Sequence, residues 1–294
     1  ATCSATISDL NLGIVDTLSA SPANAAGEVA ITCDQVAGDV TSMTVCINLG
    51  TGSGGVQGGL RLLEGGTAGL AFGLFADSAH SVPWGSHDTP ALGSPLTLHL
   101  PANGGAASGR ISLYGSVFAG QSSAVAASYR STFSGPDATL IYAEGTALDC
   151  SAPAGGDFAY AAFSVNATVL ANCLVVAGDI DFGRTGVVAR ALDASGDLDI
   201  SCTPGTNYSV GLDGGLTGAT DPAQRAMTSG GRAITYGLYL DPARTEGWGE
   251  LAGTTVAGTG TGDTEALTIY GRVPPQVAGP GAYSDTVVVS IFYD

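Results

Sequence analysis

Hydrophobic residues along this chain occur at every second position or in short runs, a pattern typical of β-strands. Residues 138–142, 234–239 and 287–293 are rich in β-branched and aromatic side chains, which suit a pleated, half-buried surface. Glycine-rich clusters such as residues 52–55 and 258–263 interrupt these runs and break regular elements. No helical stripe of useful length is present. The pattern therefore predicts an all-β fold of short strands packed as sandwiches.

A set of landmark residues occurs twice along the chain in the same order. Cys3 and Cys33 open the first copy, and Cys173 and Cys202 open the second, with separations of 30 and 29 residues. The later landmarks pair as Gly13 with Gly183, Gly73 with Gly237, Trp84 with Trp248, Tyr114 with Tyr270, and Tyr129 with Tyr283. A small-residue linker lies at 151–156. The repeat predicts two tandem domains of one fold, residues 1–152 and 157–294.

The six cysteines favour disulfides over a metal site. They form no Cys-x-x-Cys pair, and the chain has only three histidines to assist them. Six cysteines allow fifteen pairings, and the repeat favours Cys3–Cys33 and Cys173–Cys202, which leaves Cys46–Cys150. Three disulfides indicate an oxidising compartment, and hence export from the cytosol.

Charge excludes several classes of function. The 294 residues include 26 acids and nine Arg but no Lys, for a formal net charge of −17. Such a chain repels phosphate backbones and anionic membranes, so we expect no nucleic acid partner. It also lacks the Lys of a phosphate-binding loop and any apolar run long enough to span a membrane. We expect no cofactor, no metal site and no catalytic residues.

Several polar clusters have a chemical interpretation and a simpler structural one. His80 and His87 flank Trp84 without standard metal-ligand spacing, so solvated loop histidines are the preferred interpretation. Glu246 and Glu250 flank Trp248 in a way that resembles the carboxylate pair of a glycosidase, but surface charges beside a turn are the preferred interpretation. An aspartate-rich stretch at 179–199 contains no EF-hand loop.

The second copy carries a specific combination of motifs. These are residues 163–169, Cys173, Phe182-Gly183, Cys202, Tyr236-Gly237, Trp248-Gly249, Tyr270-Gly271 and the closing stretch 283–287. Together they resemble the spore coat protein U domain over 158–294, and the first copy is a looser match. The resemblance implies an immunoglobulin-like sandwich from an archaic chaperone–usher pilus of a Gram-negative bacterium. In such a subunit the last strand is missing, and a donor strand from a periplasmic chaperone or an adjacent subunit completes the sheet.

The resemblance places a donor-strand groove between the first and last strands of the second domain. Alternating apolar residues suit its two walls. We expect Phe163, Val165, Ala167 and Val169 on the first strand, and Val287, Val289, Ile291 and Tyr293 on the last. The alternative is a complete sandwich that ends on this last strand. Whether the first domain closes its own sandwich, with residues 146–150 as an extra strand, stays open.

The resemblance also suggests a position in the fibre. Only Ala1 and Thr2 precede Cys3 here, too few to form a donor strand, so we expect a chain that accepts a strand and ends the fibre. The first domain would then bind an abiotic surface or a host ligand, either through a pocket for a sugar or through exposed apolar loops. The candidate contact residues are Val82, Pro83, Val117, Phe118 and Val125. For residues 117–127, packing against the domain's own sheet is an equally good explanation.

The sequence as a whole predicts a pilus tip adhesin that mediates attachment and biofilm formation. It would be exported through the periplasm with a chaperone and an outer-membrane usher, and would act outside the cell. The alternative is a structural fibre or coat subunit with no receptor-binding activity. A secreted carbohydrate-active enzyme is a third, less supported hypothesis.

Overall fold

The computed structural model describes residues 1–294 as two compact units, Ala1–Leu170 and Ala171–Asp294. Both consist of β-strands, and the one helical element is a 3-10 turn at Pro90–Leu92. No helix has the length and hydropathy that crossing a bilayer would need. The all-β prediction is confirmed.

Unit 1 is a sandwich of eleven strands. They are β1 (Thr2–Ile7), β2 (Leu10–Val15), β3 (Ala23–Asp34), β4 (Ser42–Leu49), β5 (Val56–Gln57), β6 (Leu60–Leu63), β7 (Leu70–Phe75), β8 (Leu96–Asn103), β9 (Ala106–Val117), β10 (Ala127–Glu144) and β11 (Asp157–Val169). One layer has the order β2-β11-β10-β4-β8, and the other contains β1, β3, β9, β7, β6 and β5. The β8–β9 hairpin joins the two layers.

Unit 2 is a smaller sandwich of eight strands in two separate sheets. They are β12 (Cys173–Ala177), β13 (Leu192–Cys202), β14 (Asn207–Leu212), β15 (Arg225–Ser229), β16 (Arg232–Tyr239), β17 (Val256–Thr259), β18 (Thr264–Val273) and β19 (Val289–Tyr293). The larger sheet has the order β12-β13-β18-β16-β15, and the smaller one β17-β14-β19.

The two tryptophans do the same structural work in the two units. Each is almost completely buried, and each indole Nε1 donates a hydrogen bond to a backbone carbonyl. Trp84 bonds to Ile47 at 3.0 Å, and Trp248 bonds to Val210 at 3.1 Å. Ile47 lies on β4, which pairs with β10, and Val210 lies on β14, which pairs with β19. The two tryptophans therefore have the same structural role in their units. Because both are buried, neither offers a surface on which a ligand could pack.

A buried arginine in each unit repeats as well, and the landmark comparison does not find it. Arg61 and Arg225 each lie 23 positions before the tryptophan of their unit and donate through Nε and Nη2 to three backbone carbonyls at 2.7–2.9 Å. The acceptors are those of Leu49, Gly50 and Trp84 in unit 1, and of Leu212, Asp213 and Trp248 in unit 2. Burial lowers the pKa of Arg61 to about 10 and also lowers the pKa of Arg225. The guanidinium joins loop carbonyls that would otherwise be buried without a partner.

Three disulfides are present, and they join the pairs that the repeat favours. Cys3–Cys33 connects directly opposed residues of the paired strands β1 and β3, and Cys173–Cys202 does the same for β12 and β13. Cys46–Cys150 ties β4 to the segment after β10 and closes the largest loop, with a sequence separation of 104.

The structure moves the domain boundary. The sequence analysis starts the second domain at residue 157, whereas β11 (Asp157–Val169) belongs to unit 1 and the division falls between Leu170 and Ala171. The reason is that β11 has hydrogen-bonded neighbours on both sides within unit 1. Residues 146–150, the suggested closing strand, form no strand.

Candidate functional site

Strand β11 lies between β2 and β10 in unit 1. It pairs antiparallel with β10, from Tyr142 opposite Asp157 to Ala127 opposite Val169. On its other edge it pairs in parallel with β2, where Val165 lies opposite Leu10. Because β11 is the segment that directly precedes unit 2, the chain completes its own first sandwich with a strand that leads into the second.

The inward side chains of β11 form part of the unit 1 core. Phe163, Val165, Ala167 and Val169 alternate along the strand, and each is between 0% and 4% exposed. The Phe163 ring stacks on Phe133, with ring centroids 4.6 Å apart. These four residues were expected to line the groove of the second domain, and that expectation is wrong. They fill the corresponding groove of the first unit.

The equivalent place in unit 2 has no such strand. Cys3 and Cys173 are equivalent, so Leu10 and Leu12 of β2 correspond to Ile180 and Phe182. In unit 1 both leucines are buried within a strand, whereas in unit 2 residues 178–187 form no strand and both side chains are only half-buried. Ile180 and Phe182 therefore lie at the positions where unit 1 has the strand β2.

The last strand of unit 2 forms the opposite wall. Strand β19 pairs with β14 along one edge only, from Leu212 opposite Val289 to Tyr208 opposite Tyr293. Val287, Val289 and Ile291 are half-buried against the core, and Tyr293 is exposed. A surface cavity of about 590 Å³ lies beside this end of β19. The second edge of β19 carries unpaired backbone groups that a further strand could use.

Two tyrosines tie the edges of this groove to the core of unit 2. The Tyr236 hydroxyl donates to Asp285 Oδ2 at 2.6 Å, and the Tyr208 hydroxyl donates to Glu265 at 2.5 Å. Burial, with the neighbouring carboxylate, raises the pKa of Tyr208 to about 12 and raises that of Tyr236 further. Both phenols therefore remain protonated donors at neutral pH, and Asp285 stays anchored just before the open edge.

The predicted surface-binding loops are only partly exposed. Val117 is fully buried at the end of β9, so its prediction as a surface contact is wrong, whereas Phe118 and Val125 are half-buried. The Tyr129 hydroxyl bonds to the Val125 carbonyl at 2.8 Å, as the Tyr283 hydroxyl bonds to that of Gly279 in unit 2. The segment is thus a corner that packs on its own sheet, the alternative that the sequence analysis kept open.

Val82 and Pro83 are exposed as expected, in a turn that also repeats. The Asp77 carboxylate accepts hydrogen bonds from Ser81 Oγ at 2.6 Å and from the backbone N–H groups of Val82 and Ser81. These bonds lower the pKa of Asp77. The Asp241 carboxylate accepts the same set of bonds in unit 2. The turn is therefore an element of the shared scaffold, and only its apolar tip belongs to unit 1 alone.

A second cavity, which the sequence analysis does not anticipate, lies on the outer face of unit 1. Its volume is about 400 Å³, and Phe158 and Tyr160 of β11 line one side of it. His87 lines another side. It is half-buried and bonded to Asn48 at 2.8 Å, so it is not the solvated loop histidine expected above. The signal in the sequence was the pair of aromatic residues, Phe158 and Tyr160, at alternate positions before Phe163.

No group of three or more His, Cys, Asp or Glu side chains is arranged to hold a metal ion. The aspartates at 179–199 are instead separated, and Asp193 forms a bidentate pair with Arg272 at 2.7 and 2.8 Å. Those hydrogen bonds lower the pKa of Asp193. This stretch therefore joins β13 to β18 and is explained by its structural role.

Comparison with known proteins identifies the repeat. A family model described as the Spore Coat Protein U domain matches residues 1–135 and again residues 159–290. The curated Protein U of Myxococcus xanthus is 31% identical over 129 residues, which covers 40% of this chain and 72% of that protein. The second match includes β11, so the family model spans the segment that the three-dimensional structure assigns to unit 1.

Two solved structures are similar in fold over nearly the whole chain. One is a chain of the CsuC–CsuE chaperone–tip adhesion subunit pre-assembly complex from archaic chaperone-usher Csu pili of Acinetobacter baumannii, at a TM-score of 0.55, 17% identity and 99% coverage of both chains. The other is the CupB6 tip adhesin of Pseudomonas aeruginosa, at a TM-score of 0.41, 12% identity, and coverage of 99% of this chain and 92% of that one.

Proposed function

Because the chain belongs to the Spore Coat Protein U domain family, a non-enzymatic family, we propose that it is a pilus tip adhesin. Unit 2 anchors the chain in the fibre by accepting a donor strand. Unit 1 carries the attachment to a surface or host ligand from which biofilm formation starts.

The difference between the two grooves carries this proposal. Unit 1 holds β11 between β2 and β10, whereas unit 2 has no strand at the equivalent position, and Ile180, Phe182, Val289 and Ile291 are only half-buried. Strand addition to such an edge gains backbone hydrogen bonds and buries alternate side chains in pockets. An unpaired apolar edge is also an aggregation hazard, so a protein of this kind needs a partner strand.

The partners follow from that requirement. In the periplasm the groove is occupied by a chaperone strand, the outer-membrane usher exchanges it for the strand of the adjacent pilus subunit, and the mature chain lies outside the cell. The similarity in fold to a chain of a chaperone–tip subunit complex supports this route. The disulfides support an oxidising compartment along it.

A structural fibre or coat subunit is the second candidate, and the use of β11 argues against it. A subunit inside a fibre accepts one strand and donates another to its neighbour. The segment before unit 2 would be the donor, but here it forms hydrogen bonds along both edges within unit 1. Its side chains are buried there, so it is not available to a neighbouring chain.

A strand-insertion experiment on the full chain tests the proposal. The probe is a synthetic peptide that copies Asp157–Val169, because the unit 2 groove is equivalent to the one that this sequence already fills. Labelling with 5-fluorotryptophan gives one ¹⁹F signal for each unit, since Trp84 and Trp248 are the only tryptophans. We expect slow binding, a higher melting temperature for the Trp248 signal only, and slower hydrogen exchange along β19.

The control is the same peptide with Asp in place of the residues that correspond to Phe163 and Val165, which should not bind. If neither peptide changes unit 2 and the β19 amides are already protected in the free chain, the sandwich is complete and the proposal is wrong. If the peptide inserts but beads coated with the chain do not attach to any tested surface or glycan, the structural-subunit alternative is favoured.

A further inference from the structure

The unit 1 cavity beside Phe158 and Tyr160 has one apolar wall and one polar wall. The two aromatic side chains are i and i+2 on β11, so they point to the same outer face of the sheet. They are 63% and 55% exposed, with ring centroids 5.5 Å apart. Their cross-strand partners on β10, Ile141 and Thr139, also line the cavity. Exposed neighbouring aromatic rings over a cavity make a platform without any packing role in the core.

The polar wall is built on a buried amide. Asn48 is 1% exposed, and its Oδ1 accepts hydrogen bonds from the His87 backbone N–H at 3.1 Å, from His87 Nδ1 at 2.8 Å and from Ser86 Oγ at 3.3 Å. Because the amide oxygen can only accept, Nδ1 carries the ring proton. The other ring nitrogen, Nε2, lies 3.2 Å from Asp88 Oδ1, and the Asp88 side chain is mostly exposed. In the neutral ring both of these atoms are acceptors, so they favour a ligand that donates.

From this arrangement we propose that the cavity binds a neutral hexopyranose. The C–H face of the sugar ring packs on Phe158 and Tyr160, and its hydroxyl groups donate to His87 Nε2 and Asp88. The proposal rests on the adhesin function proposed above and names the ligand class of unit 1. The cavity volume of about 400 Å³ is within the usual range for small-molecule sites.

The charges around the cavity select against an anionic sugar. No arginine lines it, and Asp88 is the only carboxylate that does. The whole chain is also strongly acidic. A uronic or sialic acid would place its carboxylate in a negative field without a cation to pair with, whereas a neutral sugar would not.

Unit 2 has the same scaffold without these groups. The hydrogen bonds of Trp84 and Trp248 align Ile47 with Val210, so the counterpart of Asn48 is Gly211. Counting on from the tryptophans, the counterpart of His87 is Leu251. A Cβ at Gly211 would lie 3.0 Å from the Glu250 Cα, which leaves no room for an asparagine there. The buried network is therefore an addition to the common fold and is specific to unit 1.

The cavity also lies at a suitable end of its unit. It is next to the first residues of β11, whereas the chain continues into unit 2 after the last residue of that strand. About nine strand residues, or ~30 Å, separate Tyr160 from Val169. The site is thus remote from the point at which unit 1 is joined to the rest of the chain.

Saturation-transfer NMR and calorimetry on the full chain test the assignment. The probes are the methyl glycosides of glucose, galactose and mannose, methyl glucuronide as the anionic match, and choline as a cation that would suit aromatic rings beside a carboxylate. We expect at least one neutral glycoside to bind with a millimolar Kd. The glucuronide should bind at least about ten-fold more weakly, which corresponds to a difference of about 1.4 kcal/mol in binding free energy.

Three variants place the binding in this cavity. Phe158→Ala and Asp88→Asn should each weaken it about ten-fold without changing the melting temperature, since both side chains are mostly exposed. Ile14→Ala, at a similarly exposed apolar residue outside the cavity, should leave it unchanged. Preference for choline, equal binding of the glucuronide, or no saturable glycoside binding would each overturn the proposal. The donor-peptide experiment reports on unit 2 and the sugar experiment on unit 1, so the two proposals can fail separately. If the peptide inserts but no sugar binds, only the sugar-site proposal is wrong. If a sugar binds but the peptide does not insert, only the proposal that unit 2 accepts a donor strand is wrong.

Discussion

The two units share one scaffold and differ by one strand. Each has the first hairpin joined by a disulfide, the buried tryptophan, the buried arginine and the tyrosine corner. In unit 1, β11 lies between β2 and β10, and both neighbours are regular strands. In unit 2 that strand is absent, residues 178–187 and 285–288 form no strand, and the last strand begins only at Val289. The flanking segments are regular strands in the unit where a third strand pairs with them and are irregular in the unit where that strand is absent.

The energetic difference lies in the side chains that face the groove. Leu10 and Leu12 are covered in unit 1, while Ile180 and Phe182 are half-buried in unit 2. Each apolar side chain that a strand covers stabilises the fold by about 1.5–3 kcal/mol. A donor strand with four inward apolar residues therefore provides a large share of the stability of a small sandwich, which is typically 5–15 kcal/mol. We infer that unit 2 is the less stable of the two until a partner strand binds.

The largest expected effect comes from weakening the strand that unit 1 already holds. Phe163→Ala removes a stacked ring from the core and should lower the free energy of unfolding of unit 1 by about 3–5 kcal/mol. The ¹⁹F signal of Trp84 during urea unfolding measures it, and the Trp248 transition should not move. Ala162→Asp is the matched control, because Ala162 is exposed on the opposite face of the same strand. Equal loss for both variants would show that side-chain burial in the groove is not what holds β11.

A smaller effect on stability is expected for the equivalent residues Leu12 and Phe182, and for Phe182 it depends on whether the donor peptide is bound. Leu12→Ala should cost unit 1 about 2–4 kcal/mol in the free chain, because Leu12 is already buried. Phe182→Ala should cost unit 2 less in the free chain but should weaken binding of the donor peptide about ten-fold or more, since its burial is completed on insertion. Isothermal titration with the peptide separates the two. Leu12→Ala should bind the peptide as the native chain does, and loss of binding in that variant would contradict the equivalence of the grooves.

The smallest expected effect is on the pH dependence of the melting temperature, and it should be the same in both units. The turn carboxylates of Asp77 and Asp241 have pKa values lowered by hydrogen bonds, chiefly from Ser81 to Asp77 and from the Glu246 N–H to Asp241. A group with a lowered pKa in the folded state stabilises the fold above its unfolded pKa, near 3.9, and loses that contribution as the pH falls through its folded value. Asp77→Asn and Asp241→Asn should each make the melting temperature of their own unit less dependent on pH between about 4 and 2. Melting curves by ¹⁹F NMR at several pH values measure this. Unequal slopes would show that the two turns are not equivalent in energy.

The internal repeat made much of the architecture predictable. Paired cysteines, tryptophans and tyrosines fixed the number of units and favoured the disulfide pairs that the structure contains. The shared landmarks of the second copy begin at Cys173, so β11 lies before all of them, and this was the available signal that β11 stands outside the repeat. The spacing of 23 residues from Arg61 to Trp84, and again from Arg225 to Trp248, was a second unused signal. Both signals are present in the sequence alone, and a longer list of paired positions would have revealed them.

What the sequence determines by itself is local or periodic: strands from alternation, turns from glycine clusters, and two copies from their landmarks. The alternation of Phe163, Val165, Ala167 and Val169 shows that this strand has a buried face, but it contains no information about which core buries that face. Only the tertiary structure decides that, because β-pairing joins residues far apart in the chain and both units offer a similar edge. The cavity beside Phe158 follows from the same choice. Once β11 pairs with β10 in unit 1, its inward side chains complete the core, and its first outward aromatic residues lie beside His87 and Asp88.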